Sequence, residues 1–364
     1  MRLKNRWLGN TIRHFYNKTP FYGVLFLFKT SIIKLRAMKK YKVIAFIVLI
    51  GVVLMWGVAP VASKAIFNDE NPAYSPGMLI ALRGLFAIVA MAAFINKGFK
   101  KINKSYLLTA IPAGFILAMA YIFQFTGLKY TDPSKNAFLE NISCVAIPVF
   151  MFIFIREKPT WYSVVAAIVC VIGSVFLIGN GFAIMHFFDN VTFLGDGLSA
   201  IGGLFFGLDI AFTKVHCKDK DPILYVFLQL CVLTIVCFAY TFIFEGAVFQ
   251  TMAFSINWLP VLEVIFLGVV CTAVCWVARA WAMKYIDALT VSLLVPLSAV
   301  VATILSIAFK MEEFTYNLLI GGIIILISIA ISAVFDYRKA IREKNEQNNN
   351  EEEEISHEPN QSEL

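Results

Sequence analysis

Five stretches of this chain, residues 107–128, 159–188, 222–244, 288–309 and 314–335, carry no formally charged side chain. Each exceeds the roughly 18 apolar residues that make a segment a candidate for crossing a bilayer as a helix. In hydrocarbon every backbone N–H and C=O must be satisfied within the protein, which leaves helices and closed barrels as the spanning structures. Barrel strands would show about ten-residue segments of alternating polarity, and the sequence shows none. Only 15% of the 364 residues are charged, against about 25% in soluble domains. The chain therefore reads as an all-α integral membrane protein in a lipid bilayer.

Breaks at Gly, Pro and Asn divide the apolar runs into ten helices, at 43–66, 76–96, 106–128, 135–155, 160–180, 196–215, 222–244, 259–283, 287–309 and 314–336. Short cytoplasmic loops carry an excess of Lys and Arg. With the N-terminus inside, the inner segments hold 25 basic residues and the outer ones four, Lys64, Lys129, Lys135 and Lys310. Both termini are accordingly expected in the cytoplasm, and the protein in the cell membrane. The formal charge of +7 marks topology, and no nucleic-acid partner is expected. Residues 1–42 form a basic segment; either translation starts at Met38 or the extension lies at the membrane interface. Residues 337–364, rich in Asn, Glu and Gln, are expected to form a disordered tail. Seven cysteines without a CxxC pair and four unclustered histidines imply packing roles, with no metal and no cofactor.

The chain also nearly repeats itself. Lys129-Tyr130-Thr131-Asp132 returns 155 positions on as Lys284-Tyr285-Ile286-Asp287, and at that offset Leu139, Ser143, Glu157 and Thr160 match Leu294, Ser298, Glu312 and Thr315. Earlier in each half, Trp56-Gly57 with Lys64 recurs as Phe206-Gly207 with Lys214. Five spans per copy is an odd number, so the second copy would enter the bilayer inverted. The turn Arg156-Glu157-Lys158 would lie inside and its counterpart Met311-Glu312-Glu313, without net positive charge, outside. The expected fold is ten transmembrane helices as two inverted five-helix repeats, residues 43–180 and 196–336. Inverted repeats around a midplane site are a common architecture of secondary transporters, in which one repeat rocks against the other.

Several local features are similar to the drug/metabolite transporter superfamily, in its EamA-like branch. These are Trp56-Gly57, Arg83 in the second helix, and Gly127-Leu128-Lys129-Tyr130-Thr131 closing the third. The Pro148 helix ending in Arg156-Glu157-Lys158-Pro159-Thr160 and its counterpart from Pro296 to Glu312 complete the set. The resemblance covers residues 43–336. It implies a basket-shaped carrier that moves small metabolites or drugs across the inner membrane. Gln229 stands where Arg83 aligns, which leaves a shared role for that position open.

A carrier needs polar groups near mid-membrane, where ionisable side chains are costly and default to functional candidates. Arg83 lies seven residues into its helix, roughly 10 Å deep at about 1.5 Å per residue. Glu140 enters the fourth span beside Asn141. Either contacts an anionic or zwitterionic solute, or Glu140 carries a coupling proton, or the two form a structural ion pair. Asp209, one turn from Gly203-xxx-Gly207, must face the bundle interior. Gln124 and Gln229 read a solute's hydrogen bonds or join helices, and Trp56, Tyr121, Trp276 and Trp281 either wall a cavity or simply pack. Arg279 and Glu263 lie nearer helix ends, where snorkelling is cheap. Lys64 and Lys214 read as interface anchors.

No nucleotide-binding motif occurs, so the driving force for transport would be a proton or counter-solute gradient. The competing reading is an integral-membrane enzyme acting on a lipid or small molecule, though neither GxSxG nor HExxH occurs. The expected partner is a small-molecule solute, with the chain a monomer or homodimer.

Overall fold

The computed structural model describes residues 20–67, 74–156, 158, 160–178, 193–246, 258–286, 291, 294–317, 319–324, 327–328, 331 and 335. Among them there is no strand. The helices are α1 (Pro20–Phe67), α2 (Pro76–Ile95), α3 (Lys104–Tyr130), α4 (Pro133–Ile155), α5 (Trp161–Ile178), α6 (Phe193–His216), α7 (Pro222–Phe244), α8 (Trp258–Ala282) and α9 (Pro296–Ala308). Seven are long and apolar enough to cross a membrane, α1 doing so over Tyr41–Phe67; α5 and α9 are shorter apolar helices. The expected disordered tail, Glu157, residues 287–290 and residues 1–19 lie outside the described residues, as does much of the tenth expected span.

At the start of the chain the helix α1 runs without a break from Pro20 to Phe67, so it extends ahead of the first expected span. Elsewhere the ends follow local chemistry. Asn103 Oδ1 accepts from the Tyr106 N–H at 3.1 Å ahead of α3, and Asp221 Oδ1 accepts from Ile223 N–H at 3.0 Å with Pro222 opening α7. Glu245 accepts from the Gly77 N–H at 3.1 Å, placing a carboxylate at the positive end of α2.

The bundle is apolar on its outside as well as in its core, with a few polar side chains buried among the apolar ones. Val89, Ile235 and Ile243 point outward, while Arg83, Asp209, Gln229 and Arg279 are buried. With lipid no less apolar than the bundle, helices hold together by close packing of small residues and by polar contacts. A methyl group built on Gly127 of α3 would sit 2.5 Å from Ser199 Oγ and 2.6 Å from the Gly195 carbonyl of α6. Only glycine lets those backbones meet.

The same contacts occur twice. Gly57 of α1 packs on Ser298 O and Val301 of α9, and Gly207 of α6 packs on Ser143 O and Ala146 of α4. The partners differ by 155 positions in each case. Gly114 of α3 lies against Gln229 O and Val232 of α7, and Gly268 of α8 against Arg83 O and Phe86 of α2. Lys64 Nζ donates to the carbonyls of Leu128 at 2.9 Å and Thr131 at 2.8 Å. Lys214 Nζ donates to those of Met283 and Ile286, both at 2.7 Å. The two lysines thus close the C-terminal ends of α3 and α8, a more specific role than interface anchoring.

Candidate functional site

A cavity opens where α1, α2, α3, α4, α6 and α8 converge. Two irregular turns shape it. At Glu140–Ile142 the backbone of α4 tightens into a 3₁₀ turn, and at Leu267–Val274 α8 widens into a π-helix. Such interruptions re-aim side chains and often mark functional sites. Thr272, within the π segment, donates to Leu267 O at 2.8 Å and accepts from Arg83 Nε at 2.5 Å.

An aromatic cluster forms one wall. Trp276 Nε1 donates to Tyr121 OH at 2.8 Å. These residues are 155 positions apart and so occupy equivalent places in the two repeats. Trp56 packs on Trp276 with centroids 5.5 Å apart, and its counterpart Phe206 packs on Tyr121 at 5.2 Å. Arg83 lies over the Tyr121 ring at 5.0 Å and over Phe125 at 5.5 Å; Arg279 lies over Trp276 at 4.0 Å.

Polar groups complete the lining. Gln124 Nε2 donates to Glu140 Oε2 at 2.8 Å. Asn136 Nδ2 donates to Gln124 O at 2.9 Å and to Ser199 Oγ at 2.7 Å. Arg279 Nη2 and Asp209 Oδ2 form an ion pair at 2.8 Å with both side chains fully buried. Asp209 Oδ1 also accepts from Gln229 Nε2 at 2.5 Å. The cavity measures about 30 Å³, room for about two waters. A larger solute needs the walls to move.

Of the residues singled out from sequence, Trp56, Arg83, Gln124, Glu140 and Trp276 line this cavity together. Asp209 and Gln229 stand behind the wall, holding Arg279. Asn141 is buried beside Glu140, its side-chain amide unbonded to any described residue and outside the lining. No ion pair joins Arg83 to Glu140. Arg279, expected near the helix end with a snorkelling head, is instead fully buried, because Asp209 and the Trp276 face receive it. Trp281 packs on Tyr285 at 5.2 Å, away from the cavity. Thr272 was missed: its role follows from the π register, which no short-range pattern reveals. Phe206 was legible only as the repeat counterpart of Trp56.

A helical multi-pass bundle around a buried polar and aromatic cavity is an architecture that suits a membrane transporter. The model of the EamA-like transporter family matches residues 43–179 and 193–334, and the chain belongs to that family. It is 23% identical to the uncharacterized transporter YoaV of Bacillus subtilis (strain 168), over 80% of this chain and 97% of the relative. It is 24% identical to the uncharacterized transporter YvbV of the same organism, over 77% of this chain and 88% of the relative. A solved crystal structure of 16% identity superposes over 81% of this chain and 98% of its own, with a TM-score of 0.61; it shares the fold.

Proposed function

We propose that the protein is a secondary transporter that moves a small metabolite or drug-like solute across the cytoplasmic membrane by alternating access, as an exporter or exchanger. The ten spans are arranged as two inverted five-helix repeats, residues 43–180 and 196–336, with both termini in the cytoplasm. One observation carries this reading: the packing of α1 on α9 and of α8 on α2 recurs, residue for residue, between α6 and α4 and between α3 and α7. Paired interfaces related in this way, around a central polar cavity, are what a rocking exchange between two mirror-related states requires. Arg83, Glu140, Gln124, Trp56 and Trp276 touch the solute, while Asp209 and Gln229 hold Arg279 in place.

Comparing metabolites in overexpressing and deletion cells would nominate solutes. Their flux into proteoliposomes of the purified protein, with and without a pH gradient, tests the activity. Saturable movement of an unmodified solute is expected; a chemically altered product without movement would replace the transporter by an enzyme. Cysteines introduced at the exposed Lys158 and Glu313 should react with an impermeant reagent from opposite sides of the membrane. Labelling from one shared side would remove the inverted repeat.

A further inference from the structure

At one end of the bundle three carboxylates of the second repeat each accept from a hydroxyl of the first. Glu245, after α7, takes Ser75 Oγ at 2.5 Å and the Gly77 N–H at 3.1 Å, at the start of α2. Asp196 of α6 takes Thr131 Oγ1 at 2.5 Å, after α3, and Glu312 takes the Oγ and N–H of Ser134 at the start of α4. In the proposed topology this end faces outward. Thr131, Ser134 and Asp196 are buried there, and Leu128 and Asn136 of the cavity lining lie within three residues of the first two. The turn between α3 and α4 is thus the cavity's cover on this side. The opposite end is joined by other chemistry. Tyr41 stacks on Tyr285 with centroids 5.4 Å apart, Phe99 meets Phe227 edge-on at 5.4 Å, and the Asp221 N–H donates to the Tyr106 hydroxyl at 2.9 Å. The repeat explains why. Ile286 and Leu289 stand where Thr131 and Ser134 do, 155 positions on. Phe46 stands where Asp196 does, at the Trp56–Phe206 offset, and Phe99 where Glu245 does, at the Arg83–Gln229 offset. Glu312 keeps an acidic counterpart, Glu157, but the residue matching its hydroxyl donor is Leu289.

Building on the transporter reading, we propose that the Glu245–Ser75, Asp196–Thr131 and Glu312–Ser134 contacts are the latch of this mouth of the cavity, and that the other mouth closes on aromatic and apolar contacts. A carboxylate taken out of water needs replacement donors. While the mouth is closed the hydroxyls supply them; when it opens, water does. Removing a hydroxyl therefore penalises the closed form and leaves the open one unchanged. The Gly77 and Ser134 N–H groups lie in first helical turns, where the helix dipole also favours an anion, so two of the three contacts are held twice. Thr131 is the one hydrogen-bond donor to Asp196 among the described residues. In alternating access the two closures compete, so loosening one mouth populates its opening at the expense of the other.

Ser143 lines the cavity and is buried, so a cysteine placed there reacts with a membrane-impermeant maleimide only while a mouth is open. Labelling of Ser143→Cys in intact cells and in inside-out vesicles, each against the same chain without that change, reads the outer and inner mouths in turn. Thr131→Val should speed external labelling about 10-fold. Ser134→Ala and Ser75→Ala should speed it less, because the backbone N–H groups remain, and Thr131→Ser, which keeps the hydroxyl, should match the unaltered chain. Internal labelling should slow in the hydroxyl variants, and Tyr41→Ala should do the opposite at both faces. Hydroxyls that serve only structure would lower the melting temperature and speed labelling from both faces or from neither; either result overturns the proposal. If Thr131→Val fails to fold, Ser134→Ala and Ser75→Ala, at separate contacts, decide. Faster labelling from the cytoplasmic face alone keeps the latch and turns the proposed topology over. Flux separates the two readings: latch-dependent labelling with no solute moved sinks the transporter and leaves this inference, whereas saturable flux with labelling indifferent to the hydroxyls does the reverse.

Discussion

Arg83 and Arg279 are built from the same parts, differently assembled. Each lies over an aromatic ring, Tyr121 or Trp276, at equivalent places in the repeats. Each has a glutamine at the matching position of the other half, Gln229 for Arg83 and Gln124 for Arg279. Each glutamine donates to a carboxylate, Gln229 to Asp209 and Gln124 to Glu140. In one half the arginine joins that carboxylate and the unit is closed. In the other, arginine and carboxylate are not joined. The closed unit is a staple between α6, α7 and α8; the open one faces the cavity with all three of its polar groups. Burial alone would not have distinguished them.

The largest effect should come from breaking the closed unit. Arg279→Gln leaves Asp209 buried without its counter-ion, a loss of about 3–5 kcal/mol, read as a fall in melting temperature in detergent. Arg83→Gln removes a charge that forms no ion pair with any described residue, so stability should stay within about 1 kcal/mol of wild type or rise. Its cost should appear in saturable flux, which is expected to vanish. Were Arg83→Gln the more destabilising of the two, the distinction between staple and site would fail.

A finer test moves each unit's backbone and leaves its chemistry intact. A methyl group on Gly268 would lie 2.6 Å from the Arg83 carbonyl, and one on Gly114 2.5 Å from the Gln229 carbonyl. Either alanine must push its helix pair apart, at about 1–3 kcal/mol. Gly268→Ala should also lower solute affinity, since it displaces α2 at Arg83; Gly114→Ala should lower stability alone. Gly197→Ala, with no neighbour within 4 Å, is the neutral control. Equal losses of affinity in the two would show that both units serve the solute.

Much of the frame was legible beforehand. Hydrocarbon forces helices, so apolar runs broken at Gly, Pro and Asn gave α2 as 76–96 against Pro76–Ile95 and α7 as 222–244 against Pro222–Phe244. Arg83 and Glu140 stood out because ionisable groups inside such runs are rare. The assembly of the site was not legible. Asp209 and Arg279 are 70 positions apart, and the apolar sequence around Glu140 and Thr272 does not announce a 3₁₀ turn or a π segment. Packing sets those registers. Arg279 looked peripheral because distance from a helix end is a local measure, whereas burial depends on which helices cover that end.

The rim supplies a third arrangement of a carboxylate, with neither a buried arginine nor a fully open pocket. Glu312, in the turn after α9, accepts hydrogen bonds from Ser134 Oγ and from the Ser134 N–H at 2.9 Å, at the start of α4. Burial holds its carboxyl above the ordinary carboxylate range, the Ser134 hydrogen bonds pull it down, Asp132 pushes it up, and Lys135 offsets Asp132. A raised folded-state value means that folding favours the protonated form. Its contribution to stability is complete below the unfolded value of about 4.3 and is lost as pH rises through the folded one. Glu312→Gln keeps an acceptor for Ser134 without the charge, so its melting temperature should gain on wild type as pH climbs through that window and then run parallel to it. This is the smallest of the three effects, and a gap that instead widens towards acid would reverse its sign: the Glu312 carboxylate would then be held by a cation at the rim, as Asp209 is held by Arg279.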